Sequence, residues 1–223
     1  MTTATIAVKG SASDEFPADF AIVQFTQEFS APARSDALAG GNAVIAQVRD
    51  AAQELGAGVR EVKIHSLRVF ETFNQVGPDR VQEHSGWGAQ VVGQVLVEPG
   101  TVPTAIAELA KVGVRIHQIT WHLDSETEEK AHRAVRRLAV ADAKEAANDF
   151  ALALGASLGG LITLADPGLL GPAAFQSGAR RSSLMATATS GISSGLWDEQ
   201  VDIDPDVITV SANVEASYEV TFN

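Results

Sequence analysis

Residues 125–154 carry the longest helical signal in the chain, and they lie among segments that alternate as strands do. Asp124 or Ser125 is placed to cap this helix, and Ser125-x-x-Glu128 matches a capping box, in which a hydroxyl and a carboxylate satisfy backbone amides at a helix start. An apolar line runs through Ala131, Val135, Leu138, Ala146 or Ala147, Phe150 and Leu154, and Gly155 ends the run. A long helix with one apolar stripe needs a surface to lie on, and the strands around it supply one. That combination points to an α+β fold with mainly antiparallel strands.

Local signals give the order of the other elements. Ile6 and Val8 alternate with Ala7 and Lys9, which predicts a short strand closed by Gly10-Ser11, with a turn over residues 13–17. Residues 18–30 read as a longer strand stopped by Pro32. Ser35-Asp36 is placed to cap a helix over about residues 37–55, with Leu38, Ile45, Val48, Ala52 and Leu55 near its buried stripe. Gly56 and Gly58 stop it. Extended segments at 59–76 and 87–98, with Gly77-Pro78-Asp79 opening the turn region between them, predict a long hairpin. A short helix over 102–112 ends at Gly113, and a strand at 114–123 leads to the long helix. Strands at 158–165 and 207–222 complete the order ββαββαβαββ, with two long helices and one short one.

The chain reads as a single domain, 1–223, with two α+β halves at about 1–85 and 86–223 as the alternative division. Residues 166–199 are rich in Gly, Ser, Ala and Pro and show no sustained period. Loops of such length are uncommon in compact domains unless they are functional or mobile. This one is expected to be long and flexible.

Composition narrows the chemistry. The 223 residues suffice for a core without disulfide or metal staples. Lys and Arg number 16 against 28 Asp and Glu, a net charge of −12. An acidic surface of that kind repels phosphate backbones, so no nucleic-acid partner is expected, and docking on anionic membrane is disfavoured too. No run approaches the roughly 18–20 apolar residues of a membrane span. The absence of cysteine removes thiolate catalysis, iron–sulfur clusters and Cys-based zinc sites. Met1-Thr2-Thr3-Ala4-Thr5 runs directly into the first alternation without a basic n-region or an apolar h-region. The expected location is the cytoplasm for the sequence as written, and the periplasm or exterior only if a leader has been trimmed.

No catalytic set emerges. His117 and His122 are five apart on one predicted strand and so point to opposite faces, while His65 lies on another strand and could meet one of them. No His-Glu-x-x-His spacing occurs, and neither metal nor cofactor is indicated. Gly191-Ile192-Ser193-Ser194-Gly195 matches the five-residue serine elbow but lacks a clear strand before and helix after, and no histidine follows His132. Gly155, Gly159 and Gly160 follow a helix rather than open one, so they read as a helix stop and not as a phosphate cradle. Glu126, Glu128 and Glu129 suit the positive end of the long helix's dipole. Arg180-Arg181-Ser182-Ser183 is the one basic spot of the long loop. Trp87, Trp121 and Trp197 are expected as core or interface anchors.

Several local motifs, in order, resemble one known family over roughly residues 5–222. They are Thr5-Ile6-Ala7-Val8-Lys9-Gly10, Pro17-Ala18-Asp19-Phe20-Ala21, Leu55-Gly56 followed by Glu61-Val62-Lys63-Ile64, and the alanine-rich stretch holding Asp142-Ala143-Lys144-Glu145-Ala146-Ala147. Leu154-Gly155 with Leu158-Gly159, and Pro205 with Ile208-Thr209-Val210-Ser211-Ala212-Asn213-Val214, complete the series. Asp206 stands where that family usually has glycine. The chain thus resembles the SIMPL-domain family, bacterial periplasmic immunogenic and oxidative-stress-associated proteins. The resemblance implies a homo-oligomer-forming α+β protein linked to envelope or stress phenotypes, and it brings no catalytic residues.

The expected function is therefore a non-enzymatic, self-associating assembly or scaffold protein in a stress response. Long strands with apolar residues on both faces support that expectation. Leu169, Leu170, Phe175, Leu184, Met185, Leu196 and Trp197 are the expected subunit or partner contacts. The alternative is a small-molecule or peptide-binding module with residues 166–199 as its lid.

Overall fold

A computed structural model describes residues 2–76, 81–169, 188–190 and 205–222. In chain order its elements are β1 (Thr2–Pro17), β2 (Phe20–Ala31), α1 (Arg34–Glu54), β3 (Val59–Val76), β4 (Val81–Val97), α2 (Val102–Val112), β5 (Arg115–His122), α3 (Ser125–Ala153), β6 (Ala156–Ala165), β7 (Ala188–Ser190) and β8 (Val207–Phe222). Short 3-10 turns precede β3 and α2. The class is α+β, and every element expected from the sequence is present. The three-residue strand β7, inside the stretch expected to be loop, is the addition. Residues 170–187 and 191–204 lie outside the described residues.

The chain folds as two compact units, one inserted into the other. The terminal unit draws on residues 1–16, 123–186 and 207–223, and the central unit on residues 17–122 and 187–206. Residues 85 and 86, the boundary of the alternative division into halves, lie within β4.

The central unit is built on a five-stranded sheet in the order β3-β4-β2-β5-β7. β2 runs antiparallel to both β4 and β5, and β3 runs antiparallel to β4. α1 therefore joins two parallel strands, β2 and β3, that flank β4. In the same way α2 joins β4 and β5, which flank β2. This is the split β-α-β pattern of ferredoxin-like folds. Ala21, Val23 and Phe25 on β2, Val91, Val95 and Val97 on β4, and Ile119 and Trp121 on β5 fill the buried face, together with Val48 of α1 and Ala105 and Leu109 of α2. Burial of a side chain the size of Phe25 stabilises by about 2–3 kcal/mol. Gly113, with φ +85°, ends α2 as expected.

The terminal unit has a three-stranded sheet, β1-β8-β6, with α3 packed on it. β8 alternates cleanly: Ile208, Val210, Ala212, Val214, Ala216, Tyr218 and Val220 are buried. The buried line of α3 differs from the expected one. It is Ala131, Val135, Ala139, Ala143, Ala147 and Ala151, whereas Leu138, Phe150 and Leu154 are exposed. The reason is distance. A Cβ on Gly10 would overlap the Ala139 carbonyl oxygen and stand 2.6 Å from the Ala143 nitrogen, so only alanine fits between helix and strand. The same contact explains why β1 runs on to Pro17 instead of closing at Gly10-Ser11. Gly10 there admits the helix, and the Ser11 amide donates to Asp142 Oδ2 at 2.8 Å.

Helix starts are also corrected. α3 takes Asp124, the first of its two expected caps, as its N-cap, so Ser125 is already the first helical residue and the Ser125–Glu128 box does not form. α1 begins at Arg34 with Ala33 as N-cap, ahead of the Ser35-Asp36 pair, and Leu38 is exposed.

Candidate functional site

The histidines do not converge. In the order β3-β4-β2-β5, three strand spacings separate His65 from His117 and His122, about 14 Å at the usual interstrand distance. That is too far for one metal ion. His65 and His117 each sit where the strand register shifts. No group of three or more His, Asp or Glu side chains among the described residues is arranged to hold a metal.

His122 belongs to a stacked column at one end of the central sheet. The Arg60 guanidinium lies 4.9 Å from the centre of the Phe20 ring, and Phe20 stacks on His122 at 5.4 Å. Arg60 donates through Nε to Glu98 Oε1 at 2.6 Å and through Nη2 to the Asp19 carbonyl at 2.8 Å. His122 Nε2 is 2.8 Å from Thr120 Oγ1, and Thr120 is the one buried polar residue among those described. Four elements meet here because the starts of β2 and β3 and the ends of β4 and β5 lie at the same sheet end. The column is a clamp on strand ends, and no local sequence signal marks it, because its members come from four separate segments.

The face of the central sheet opposite α1 carries a polar row. Lys63 pairs with Gln94, Gln94 with Gln24, and Gln24 with Gln118, so four strands contribute one side chain each. The three glutamines are half-buried. At the other end of the sheet, the β3–β4 hairpin continues beyond β2. There His84 meets Phe73 and Trp87 edge to face, and Arg34 lies over Trp87. Trp121 is a core residue, as expected. Trp197 lies outside the described residues.

The first turns of α3 form a ladder of side-chain pairs at four-residue spacing, Glu126–Lys130, Glu128–His132 and Glu129–Arg133. Glu128, His132 and Arg136 line a shallow depression there. Every residue lining it comes from one helix, so no second element closes it over a ligand.

The exposed apolar surface is concentrated elsewhere. More than half of the large apolar side chains exposed among the described residues fall within 150–169: Phe150, Leu152, Leu154, Leu161, Ile162, Leu164 and Leu169. Of the expected contact residues, Leu169 is thus placed at the surface. Leu170, Phe175, Leu184, Met185, Leu196 and Trp197 lie outside the described residues, as do Arg180 and Arg181. The three positions on β6 were not singled out from the sequence, although ten consecutive uncharged residues at Ala156–Ala165 were there to be read.

No helix among the described residues is long and apolar enough to cross a membrane. No curated protein matches the chain. The profile of the SIMPL family, described as proteins of unknown function (DUF541), matches residues 6–218. With nearly the whole sequence covered, in an α+β fold with mainly antiparallel strands, the chain belongs to the SIMPL family.

Proposed function

We propose that the protein is a non-enzymatic, self-associating assembly protein, acting as a scaffold in a stress response. The observation that carries this reading is the apolar surface concentrated within residues 150–169. Exposed leucines scattered along a chain are ordinary on a monomer, and seven large exposed apolar side chains within twenty residues support a segment that is covered in use. The stress connection comes from the family resemblance alone. Light scattering on a size-exclusion column tests self-association. A mass of several subunits, retained or raised at high salt as the −12 charge is screened, is the expected result. A monomer at all concentrations would overturn it.

A second reading is favoured by the row Lys63, Gln94, Gln24 and Gln118, whose amides both donate and accept hydrogen bonds. It makes the protein a small-molecule or peptide-binding module, with residues 166–199 as lid. A ligand screen followed by melting temperature separates the two, because a ligand of the native state raises it by mass action.

A further inference from the structure

β6 is an edge strand. The order β1-β8-β6 gives it β8 on one side and, among the described residues, no strand on the other. A bare edge offers a row of amides and carbonyls to any extended chain, and proteins usually blunt it with charge, proline or a covering element. Two other long strands are edges as well, and both are charged. β3 carries Arg60, Glu61, Lys63, Arg68 and Glu71, and β1 carries Lys9, Asp14 and Glu15. β6 has no charged residue and no proline.

The pairing of β6 with β8 shifts register between Leu158 and Leu161 and again between Leu161 and Thr163, each time with one extra residue on β6. Bulges commonly turn an edge away from neighbours, and a charge at the bulge would complete that protection. Here the extra residue at the second shift is Ile162, 55% exposed, between Leu161 at 52% and Leu164 at 44%.

We infer that the outer edge of β6 pairs antiparallel with the β6 edge of a second copy, centred on Ile162 so that this residue lies opposite its own counterpart. The inference rests on the self-association proposed above and names its surface. The occupant follows from charge. Chains of net charge −12 repel one another over most of their surface, so two copies meet most easily where neither presents charge. The β6 strip meets that condition against itself. A basic partner would be drawn to the acidic surface instead and gains nothing from a neutral strand. Antiparallel pairing of a strand with its own copy is also a closed two-fold contact, in which every interaction is made twice.

The test uses the full chain, which has no cysteine, so one introduced thiol forms a disulfide only with another copy. Under mild oxidation, Ile162→Cys is expected to give covalent dimer at least about tenfold faster than Glu126→Cys on α3, because pairing raises the local thiol concentration. Ile162→Lys is expected to lower the native mass seen by light scattering. If the unaltered protein assembles, Ile162→Lys assembles equally and Ile162→Cys is no faster than Glu126→Cys, the edge is wrong and self-association stands. If the unaltered protein is a monomer, both fall. Should Ile162→Lys fail to fold, the dimer rate of Ile162→Cys, with an unchanged circular dichroism spectrum, decides alone.

Discussion

Gly10 on β1 and Ala143 on α3 set the spacing between strand and helix in the terminal unit. A Cβ on Gly10 would stand 2.7 Å from the Ala143 Cβ and closer still to the helix backbone. Backbone cannot rotate aside as a side chain can, so the substitution forces the helix away along its whole alanine line. Gly10→Ala is expected to destabilise the protein by about 2–3 kcal/mol, at the upper end of overpacking. The same change at Gly160, where nothing lies within 4 Å, is expected to stay within about 0.5 kcal/mol. Urea midpoints at an unchanged slope give the comparison. Equal midpoints for the two variants would mean the close approach is absent in solution.

Asp142 ties the same strand to the same helix through the Ser11 amide. A carboxylate acceptor is stronger than a neutral one, but this bond is exposed to water, so Asp142→Ala is expected to cost about 1 kcal/mol. The sharper readout is local. Hydrogen exchange at the Ser11 amide should speed up in Asp142→Ala and much less in Asp142→Asn, which keeps an acceptor. Unchanged exchange in both would show the bond is not populated.

The Arg60 column of the central unit depends on the shape of the guanidinium. Its Nε and Nη2 reach Glu98 while Nη2 also reaches the Asp19 carbonyl, and its flat face covers Phe20. Lysine keeps the charge but has neither the fork nor the plane. Arg60→Lys is therefore expected to cost about 1 kcal/mol in urea unfolding and to shift the His122 ring resonances, since Phe20 would lose its cover. Unmoved His122 resonances would show that the stack does not hold in solution.

How much of this was legible in the sequence depended on whether the deciding contact was local. Helix and strand periods are properties of one segment, so α2 with its Gly113 stop, the β3–β4 hairpin and the alternation of β8 could be read directly. The buried line of α3 could not. Large side chains at Leu138, Phe150 and Leu154 outrank alanine on any hydrophobicity scale, and only Gly10, more than a hundred residues away, reveals that there is no room for them. His65 and His117 show the same limit. Their separation is set by β4 and β2 lying between their strands, which no spacing within either segment encodes. The edge position of β6 is likewise a matter of strand order, whereas its lack of charge was visible from the start.

The ladder on α3 makes a prediction about acid. Lys130 Nζ lies 2.7 Å from Glu126 Oε1. That hydrogen bond, and then the charge behind it, hold the Glu126 carboxyl below its ordinary range, against a small opposing effect of desolvation. A carboxyl lowered by folding favours the native state while it is ionised. Its contribution is fully present above the ordinary glutamate pKa of the unfolded chain and is lost as pH falls through the lower native value. Glu126 is fully exposed, so the pair is open to screening. By NMR titration Glu126 should titrate below an ordinary glutamate at low salt and return toward it in Lys130→Met. It should also return in about 1 M salt, where screening acts beyond roughly 3 Å. A midpoint unmoved by either change would show that the Glu126–Lys130 pair does not persist in water.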